Sequence, residues 1–165
     1  MTLQWPTSLA VDAVDQSVYI LDRDVIIQLT TDRRLTVVVS AASAPCVYTA
    51  LPRPVIIDWQ HDEPTDMAVA PPGHQLMIVD QHTLRAVDLL TGHVTQYVTA
   101  GGAVSLSALS VSHDGIIYVT DVNNATVYTV TSQLPTPHHV TGNYDVTDPT
   151  TQQRYTFNRL VDIRK

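Results

Sequence analysis

Apolar and polar residues alternate in short runs along most of this chain, and three of these runs share one pattern. In each, an alternating segment is followed by a turn, a compact apolar run and an aspartate. Strands place successive side chains on opposite faces, whereas a helix would show a period near 3.6 residues. The pattern therefore predicts an all-β chain with an internal repeat, in TSLAVDAVDQSVYILD (7–22), TDMAVAPPGHQLMIVD (65–80) and SALSVSHDGIIYVTD (107–121).

The spacing of the repeat indicates the kind of β fold. Its final aspartates, Asp22, Asp80 and Asp121, lie 58 and 41 residues apart. A period of about 40–45 residues is what four short strands and their turns require in a β-propeller blade. We therefore predict a partial β-propeller of about three NHL-type four-stranded blades, in an incomplete ring. The predicted strands are 8–12, 17–22, 24–30 and 35–40, then 66–70, 76–81, 84–89 and 94–99, then 108–112, 116–121 and 126–131, with a fourth strand of the last blade that Pro135 and Pro137 interrupt.

Residues 44–62 match nothing in the other units and account for the longer first interval. Three prolines lie in this segment, and proline is unfavourable inside a sheet, so we predict a loop on one face of the propeller. The predicted organisation has blades at 1–43, 63–102 and 103–142, the inserted loop at 44–62, and a last strand with a passage out of the propeller at 143–165.

Six apolar residues occupy matching positions in the first predicted strands and alternate with small or polar residues. We expect them to form the packing between neighbouring blades. The blades at the two ends of an open array would each keep an apolar face uncovered, so we also expect the isolated chain to self-associate. The six residues are Leu9, Val11, Met67, Val69, Leu109 and Val111.

Charge and cysteine content narrow the possible partners. There are 16 acidic and 9 basic residues, a formal charge of −7, and a negative surface repels phosphate backbones. Nucleic acid is therefore not an expected partner. Cys46 is the only cysteine, which excludes an internal disulfide and a cysteine-based zinc site. We find no targeting signal or membrane span, and the start inside a repeat predicts a fragment of a longer protein.

The three repeat aspartates have two possible roles. They could bind a metal ion such as calcium in a propeller channel, or each could cap a turn through nearby backbone N–H groups. A repeat places one aspartate per blade for structural reasons alone, so we favour capping and expect no metal, no cofactor and no catalytic residue. The alternative is a calcium-dependent propeller enzyme, lactonase- or lyase-like, but the available histidines occupy different repeat positions: His61, His74, His82, His93 and His113.

Two further features are candidate sites. Trp59 lies in the insertion beside Ile56 and Ile57, and aromatic residues on loops often anchor interfaces, so these three are candidate partner contacts. Local packing of Trp59 is an equally open interpretation. Asn124-Ala125-Thr126 is an N-glycosylation sequon in a predicted turn, which makes Asn124 the candidate glycosylation site if the chain is secreted.

The segment PTSLAVD at 6–12 with VYILD at 18–22 resembles the NHL repeat, and residues 65–80 and 107–121 carry the same skeleton. Residues 5–29, WPTSLAVDAVDQSVYILDRDVIIQL, look like the start of the NHL region of teneurins. Residues 143–159, NYDVTDPTTQQRYTFNR, are similar to the teneurin passage from the last propeller strand into the YD-repeat shell.

The resemblance to teneurins implies a function and a location. Teneurins are membrane-anchored cell-surface proteins whose extracellular part mediates adhesion. The resemblance therefore implies a non-catalytic extracellular recognition or scaffold module. Its implied partners are proteins: further propeller blades, the YD shell and cell-surface receptors.

Overall fold

The computed structural model of the chain describes residues 2–42, 54–59, 63–99 and 104–130, and the backbone of three further strands at 138–140, 145–147 and 154–156. These residues contain fifteen strands, which confirms the predicted all-β class. Among them there is no helix of a length and hydropathy that would cross a membrane.

The first blade is a five-stranded sheet. Four strands follow one another in antiparallel order, and Asp22 closes the second of them. The fifth comes from the insertion and pairs in parallel with the fourth, with Val39 opposite Val55 and Ala41 opposite Ile57. Part of the predicted loop is thus a strand, because its apolar run finds an open sheet edge despite the flanking prolines. The strands are β1 (Pro6–Val11), β2 (Val18–Asp22), β3 (Val25–Leu29), β4 (Leu35–Ala41) and β5 (Val55–Ile57).

The second and third blades are four-stranded antiparallel sheets. The fourth strand of the third blade, predicted with an interruption by prolines, is present and pairs His139 with Tyr128. The last two strands form a separate two-stranded sheet within the predicted passage at 143–165. The second blade has β6 (Asp66–Ala70), β7 (Gln75–Val79), β8 (Thr83–Asp88) and β9 (Val94–Thr99). The third has β10 (Leu106–Val111), β11 (Ile117–Asp121), β12 (Thr126–Val130) and β13 (His138–Val140), and the separate pair is β14 (Asp145–Thr147) and β15 (Arg154–Thr156).

Two apolar layers hold the three blades together. In the first, Tyr19 and Leu21 of blade one pack with Met67 and Ile78 of blade two. In the second, the opposite face of blade two packs on Leu109 and its neighbours in blade three. Blade two therefore packs against blade one with one face and against blade three with the other, as stacked propeller blades do.

The predicted inter-blade packing holds for four of the six matching residues. Met67 and Leu109 are 3% and 8% exposed, and Val69 and Val111 pack against the same layers. The expectation is wrong for Leu9 and Val11, which are 61% and 58% exposed. Both lie outside the apolar layer between blades one and two, and the described residues place no further blade against them.

Candidate interaction site

The first strands of the three blades lie side by side, and the turns that follow them surround a cavity of about 550 Å³. Its walls are mainly apolar: Val11, Val14, Val69 and Val111 line it together with Pro71 and Pro72. Segments of all three blades contribute to its lining: Val11–Val14 of blade one, Val69–Gly73 of blade two and Val111–His113 of blade three. The cavity is therefore the first candidate site in the described part of the chain.

Asp12 is the buried acid of this cavity. Its carboxylate accepts hydrogen bonds from the backbone of Val14 at 2.7 Å and of His74 at 3.3 Å. It therefore caps its own turn and fastens blade one to the turn of blade two. Gly73 makes this approach possible, because a Cβ there would lie 3.0 and 3.1 Å from the two carboxylate oxygens of Asp12. Both oxygens of Asp12 are thus occupied by donors of the chain itself.

Asp66 connects all three blades along their first strands. One of its oxygens accepts a hydrogen bond from the Ser8 hydroxyl of blade one. The other accepts from the backbone N–H of Leu109 in blade three at 2.9 Å. The equivalent positions in the other units are Ser8 and Ala108, so the sequence signal for this role is an acid at a position that otherwise holds a small residue.

The repeat aspartate Asp80 is buried within a set of protein donors. It accepts from the backbone of His82 and Thr83, at 2.9 and 2.6 Å, from the Thr83 hydroxyl, and from the Arg85 guanidinium in a buried ion pair. The guanidinium also lies 5.5 Å from the ring centre of Trp59. A buried carboxylate needs such compensation, and this one receives it from the protein.

Asp22 and Asp121 also cap backbone. Asp22 accepts from Gln4 and Trp5, which precede β1. Asp121 accepts from Asn123 at 3.0 Å and from Ser105, which precedes β10, at 3.1 Å. Burial raises the pKa of Asp121, but the hydrogen bonds from Asn124, Ser105 and Asn123 outweigh it, so its pKa lies below the usual value. Asp80 and Asp121 thus cap the turns that follow them, whereas Asp22 binds the backbone that precedes β1.

The glycosylation candidate Asn124 is exposed in the turn between β11 and β12. Its side-chain nitrogen, the atom that would carry a glycan, donates a 2.6 Å hydrogen bond to Asp121. The Thr126 hydroxyl donates to the backbone oxygen of Asn124 at 3.0 Å. The sequon is accessible in the folded chain, and its asparagine also supports the Asp121 turn.

The three candidate partner contacts are placed differently. Trp59 is 7% exposed, packs in the layer between blades one and two, and donates from its ring nitrogen to the Asp24 carbonyl at 3.3 Å. Ile57 packs in the same layer, whereas Ile56 points outward with 51% exposure. The insertion therefore uses Trp59 and Ile57 to attach itself to the blades, and Ile56 is the accessible one of the three.

Histidine positions do not converge in the described residues. His93 and His113 are exposed, and His82 contacts the Val104 carbonyl at 3.1 Å through its ring. His61 lies outside the described residues. No group of three or more His, Cys, Asp or Glu side chains with metal-binding geometry occurs where the structure describes the chain.

Tyr19 shows the electrostatic consequence of the acidic turns. Its pKa is raised to about 12, mainly by burial and in addition by the nearby carboxylates of Asp15 and Asp12. Its hydroxyl also accepts a 3.3 Å hydrogen bond from Gln28. Tyr19 is therefore a neutral, buried member of the layer between blades one and two.

The stacked four-stranded blades and their repeat define a partial β-propeller of the NHL type. Residues 1–58 match the family model described as the Teneurin NHL domain. The chain is 24% identical to Teneurin-3 of Mus musculus and 23% identical to Teneurin-1 of Homo sapiens, in each case over 94% of its own length. The resemblance to teneurins predicted from the sequence is thereby confirmed. The chain spans only 7% of the length of these relatives.

Solved structures support the fold. The chain superimposes on a virginiamycin B lyase from Staphylococcus aureus with a TM-score of 0.57, covering 82% of this chain and 40% of that one. It also superimposes on a streptogramin B lyase with a TM-score of 0.56, covering 89% and 42%. Sequence identity is 13% in both cases, so the likeness concerns the fold alone.

Proposed function

We propose that this chain is a non-catalytic recognition and scaffold module, exposed on the extracellular side as part of a teneurin-like cell-surface adhesion protein. The observation that carries the proposal is the similarity to teneurins along 94% of the chain. Its partners are proteins: further propeller blades, a YD-type shell and cell-surface receptors.

The arrangement of the acidic residues supports a structural use of the repeat. Catalytic or metal-binding carboxylates need an oxygen directed at the ligand. In this chain Asp12, Asp80 and Asp121 direct their oxygens at backbone and side-chain donors of the same or the neighbouring blade. Removing those donors to admit a metal would leave buried N–H groups unsatisfied, which costs about 1–3 kcal/mol each.

One accessible apolar side chain in the insertion supports a protein partner. Ile56 projects from β5 with half of its surface exposed, on a strand that Ile57 and Trp59 fix to the blades. An apolar side chain held on a rigid element loses little conformational freedom on binding, which favours its use as a contact. Ile56 is therefore the residue that we assign to a receptor contact.

Cell binding tests the recognition role. The chain, secreted and immobilised, is offered to cells that display teneurin receptors, and retention under flow is measured for the chain and for Ile56→Asp. We expect retention of cells by the chain and a loss of at least tenfold in Ile56→Asp. Leu35→Asp, which changes an exposed leucine on β4 of the same blade, is the matched control and should retain cells normally.

Metal binding tests the non-catalytic part separately. Equilibrium dialysis against calcium and against zinc should show no stoichiometric uptake by the folded chain. Tight binding of one calcium ion per chain would instead favour the propeller-enzyme alternative. This result does not depend on whether a receptor has been found.

A further inference from the structure

Residues 54–59, here called the strap, are the part of the insertion that the structure describes, and a short pairing attaches them to blade one. Strand β5 of the strap has three registered pairs with β4, in parallel, and parallel pairing is slightly less stable per residue than antiparallel pairing. The backbone N–H of Ala42 also donates to the Ile57 carbonyl at 2.8 Å. So short a pairing opens easily unless its ends are anchored elsewhere.

Blade two supplies anchors for both ends of the strap. At one end, the Arg85 guanidinium lies 5.5 Å from the ring centre of Trp59. Both residues are buried, at 6% and 7% exposure, and the attraction between a cation and an aromatic ring is stronger where water is excluded. At the other end, Val55 lies beside the turn between β8 and β9, where a Cβ on Gly92 would be 3.6 Å from Cγ2 of Val55.

The cation that meets Trp59 is itself held in place. Arg85 lies inside β8, which pairs with β7 on one side and with β9 on the other. Its guanidinium donates to Asp80, and the Asp80 carboxylate accepts from the backbone of His82 and Thr83. A group that is already fixed loses little conformational freedom when a ring packs against it. Blade two therefore offers Trp59 a preformed seat.

We propose that Arg85 is a positioning residue for the strap: its guanidinium, fixed by Asp80, holds Trp59 and thereby keeps Ile56 projecting outward from β5. The link to binding rests on the proposed function, because it takes Ile56 as the receptor contact. Ile56 lies opposite Ser40 of β4 and three residues before Trp59, so its orientation depends on the pairing that Trp59 secures. Arg85 is buried and therefore acts on a partner through the strap alone.

Amide hydrogen exchange measures the strap without any receptor. The variant Asp80→Asn/Arg85→Met, here called the cation-free variant, removes the cation without leaving a buried charge unpaired. In it the Ala42 amide should exchange about tenfold faster, because the acceptor of that amide belongs to the strap. Amides of β11 in blade three should be unchanged, which separates release of the strap from a general loss of stability. Arg85→Lys, which keeps a cation for Asp80 and for the ring, is the matched control and should retain most of the protection of Ala42.

Unchanged exchange at Ala42 in the cation-free variant, or equal acceleration at Ala42 and in β11, would overturn the proposal. If the cation-free variant does not fold, Trp59→Leu takes its place, because it removes the ring and leaves the buried ion pair intact. It should accelerate exchange at Ala42 in the same way and leave β11 unchanged.

A disulfide across the strap connects its position to binding, with Cys46→Ser as background. Val39→Cys/Val55→Cys joins residues that lie opposite each other on β4 and β5. Added to the cation-free variant, the disulfide should restore both the protection of Ala42 and the retention of cells. Restored protection without retention would contradict the receptor contact assigned to Ile56, and so the proposed function, while the seating of the strap by Arg85 would stand on the exchange data.

Discussion

Gly73 is the position where a single added methyl group should matter most for the approach of blades one and two. Its φ angle is +108°, which L-residues rarely adopt. A Cβ there would lie 2.9 Å from Cγ2 of Val14 and about as close to the Asp12 carboxylate. Gly73→Ala therefore combines backbone strain with a collision, and both effects can be given a magnitude.

The magnitude follows from comparison with Gly115. Gly115 also has a positive φ, +83°, but a Cβ there would meet nothing within 4 Å. Gly115→Ala should therefore cost only the backbone strain, about 1–2 kcal/mol. Gly73→Ala adds overpacking against the buried Asp12, about 1–3 kcal/mol more, for a total of about 2–5 kcal/mol.

Urea denaturation of the two variants measures both free energies of unfolding under the same conditions. A Gly73→Ala/Val14→Ala double variant then separates the two obstacles. Val14 is exposed and can move, whereas Asp12 is fully buried and held by two hydrogen bonds. We therefore expect the double variant to regain little stability. Equal losses in Gly73→Ala and Gly115→Ala would refute the argument, because the contact with Asp12 would then have no energetic effect.

Three further predictions concern other parts of the chain. Asp66→Asn should lower the free energy of unfolding by about 1–3 kcal/mol, because one of the donors Ser8 and Leu109 loses its acceptor, while exposed Asp114→Asn should stay within about 0.5 kcal/mol in the same melt. The folded-state pKa of Tyr19, about 12, exceeds its ordinary value of 10.0, so Tyr19 ionises in the unfolded chain at a lower pH than in the folded one. The free energy of unfolding should therefore be unaffected by Tyr19 below pH 10 and should fall as the pH rises from 10 toward 12. Tyr19→Phe should reduce this alkaline loss in a pH series of melts, and an unchanged loss would contradict the assignment to Tyr19. Secreted from eukaryotic cells, the chain should show one glycosidase-sensitive mass step that Asn124→Gln removes, and the absence of a step in the parent chain would mean that the sequon is unused.

Local pattern predicted most of the strands because strand alternation is a local property. The predicted bounds of β2, β3, β6 and β9 differ from the observed ones by no more than one residue. β5 was not predicted, since a three-residue run between prolines becomes a strand only through its parallel pairing with the distant β4. The burial of apolar residues in the first strands could not be predicted from the pattern, because it depends on whether another blade packs against that face. Leu9 and Leu109 have the same pattern and opposite exposure for this reason.

The site shows the same limit. Capping by Asp80 and Asp121 could be predicted, since an aspartate that ends a strand meets the N–H groups of the turn that follows it. The role of Asp66 could not be derived from one repeat alone, because its two donors lie 58 residues before it and 43 residues after it. The surroundings of Trp59 could not be predicted either, because Arg85, which lies against its ring, belongs to the second blade.

The different settings of the two tryptophans make the chain its own optical reporter. Trp5 is 72% exposed, whereas Trp59 is buried between blades one and two with Arg85 above its ring. A water-soluble quencher should therefore extinguish the red-shifted emission of Trp5 first and leave a blue-shifted component from Trp59. Denaturant, force or a bound partner that separates the first two blades would therefore reduce the unquenched, blue-shifted fluorescence of Trp59. The chain needs no attached dye for such a measurement, because its sequence contains only these two tryptophans.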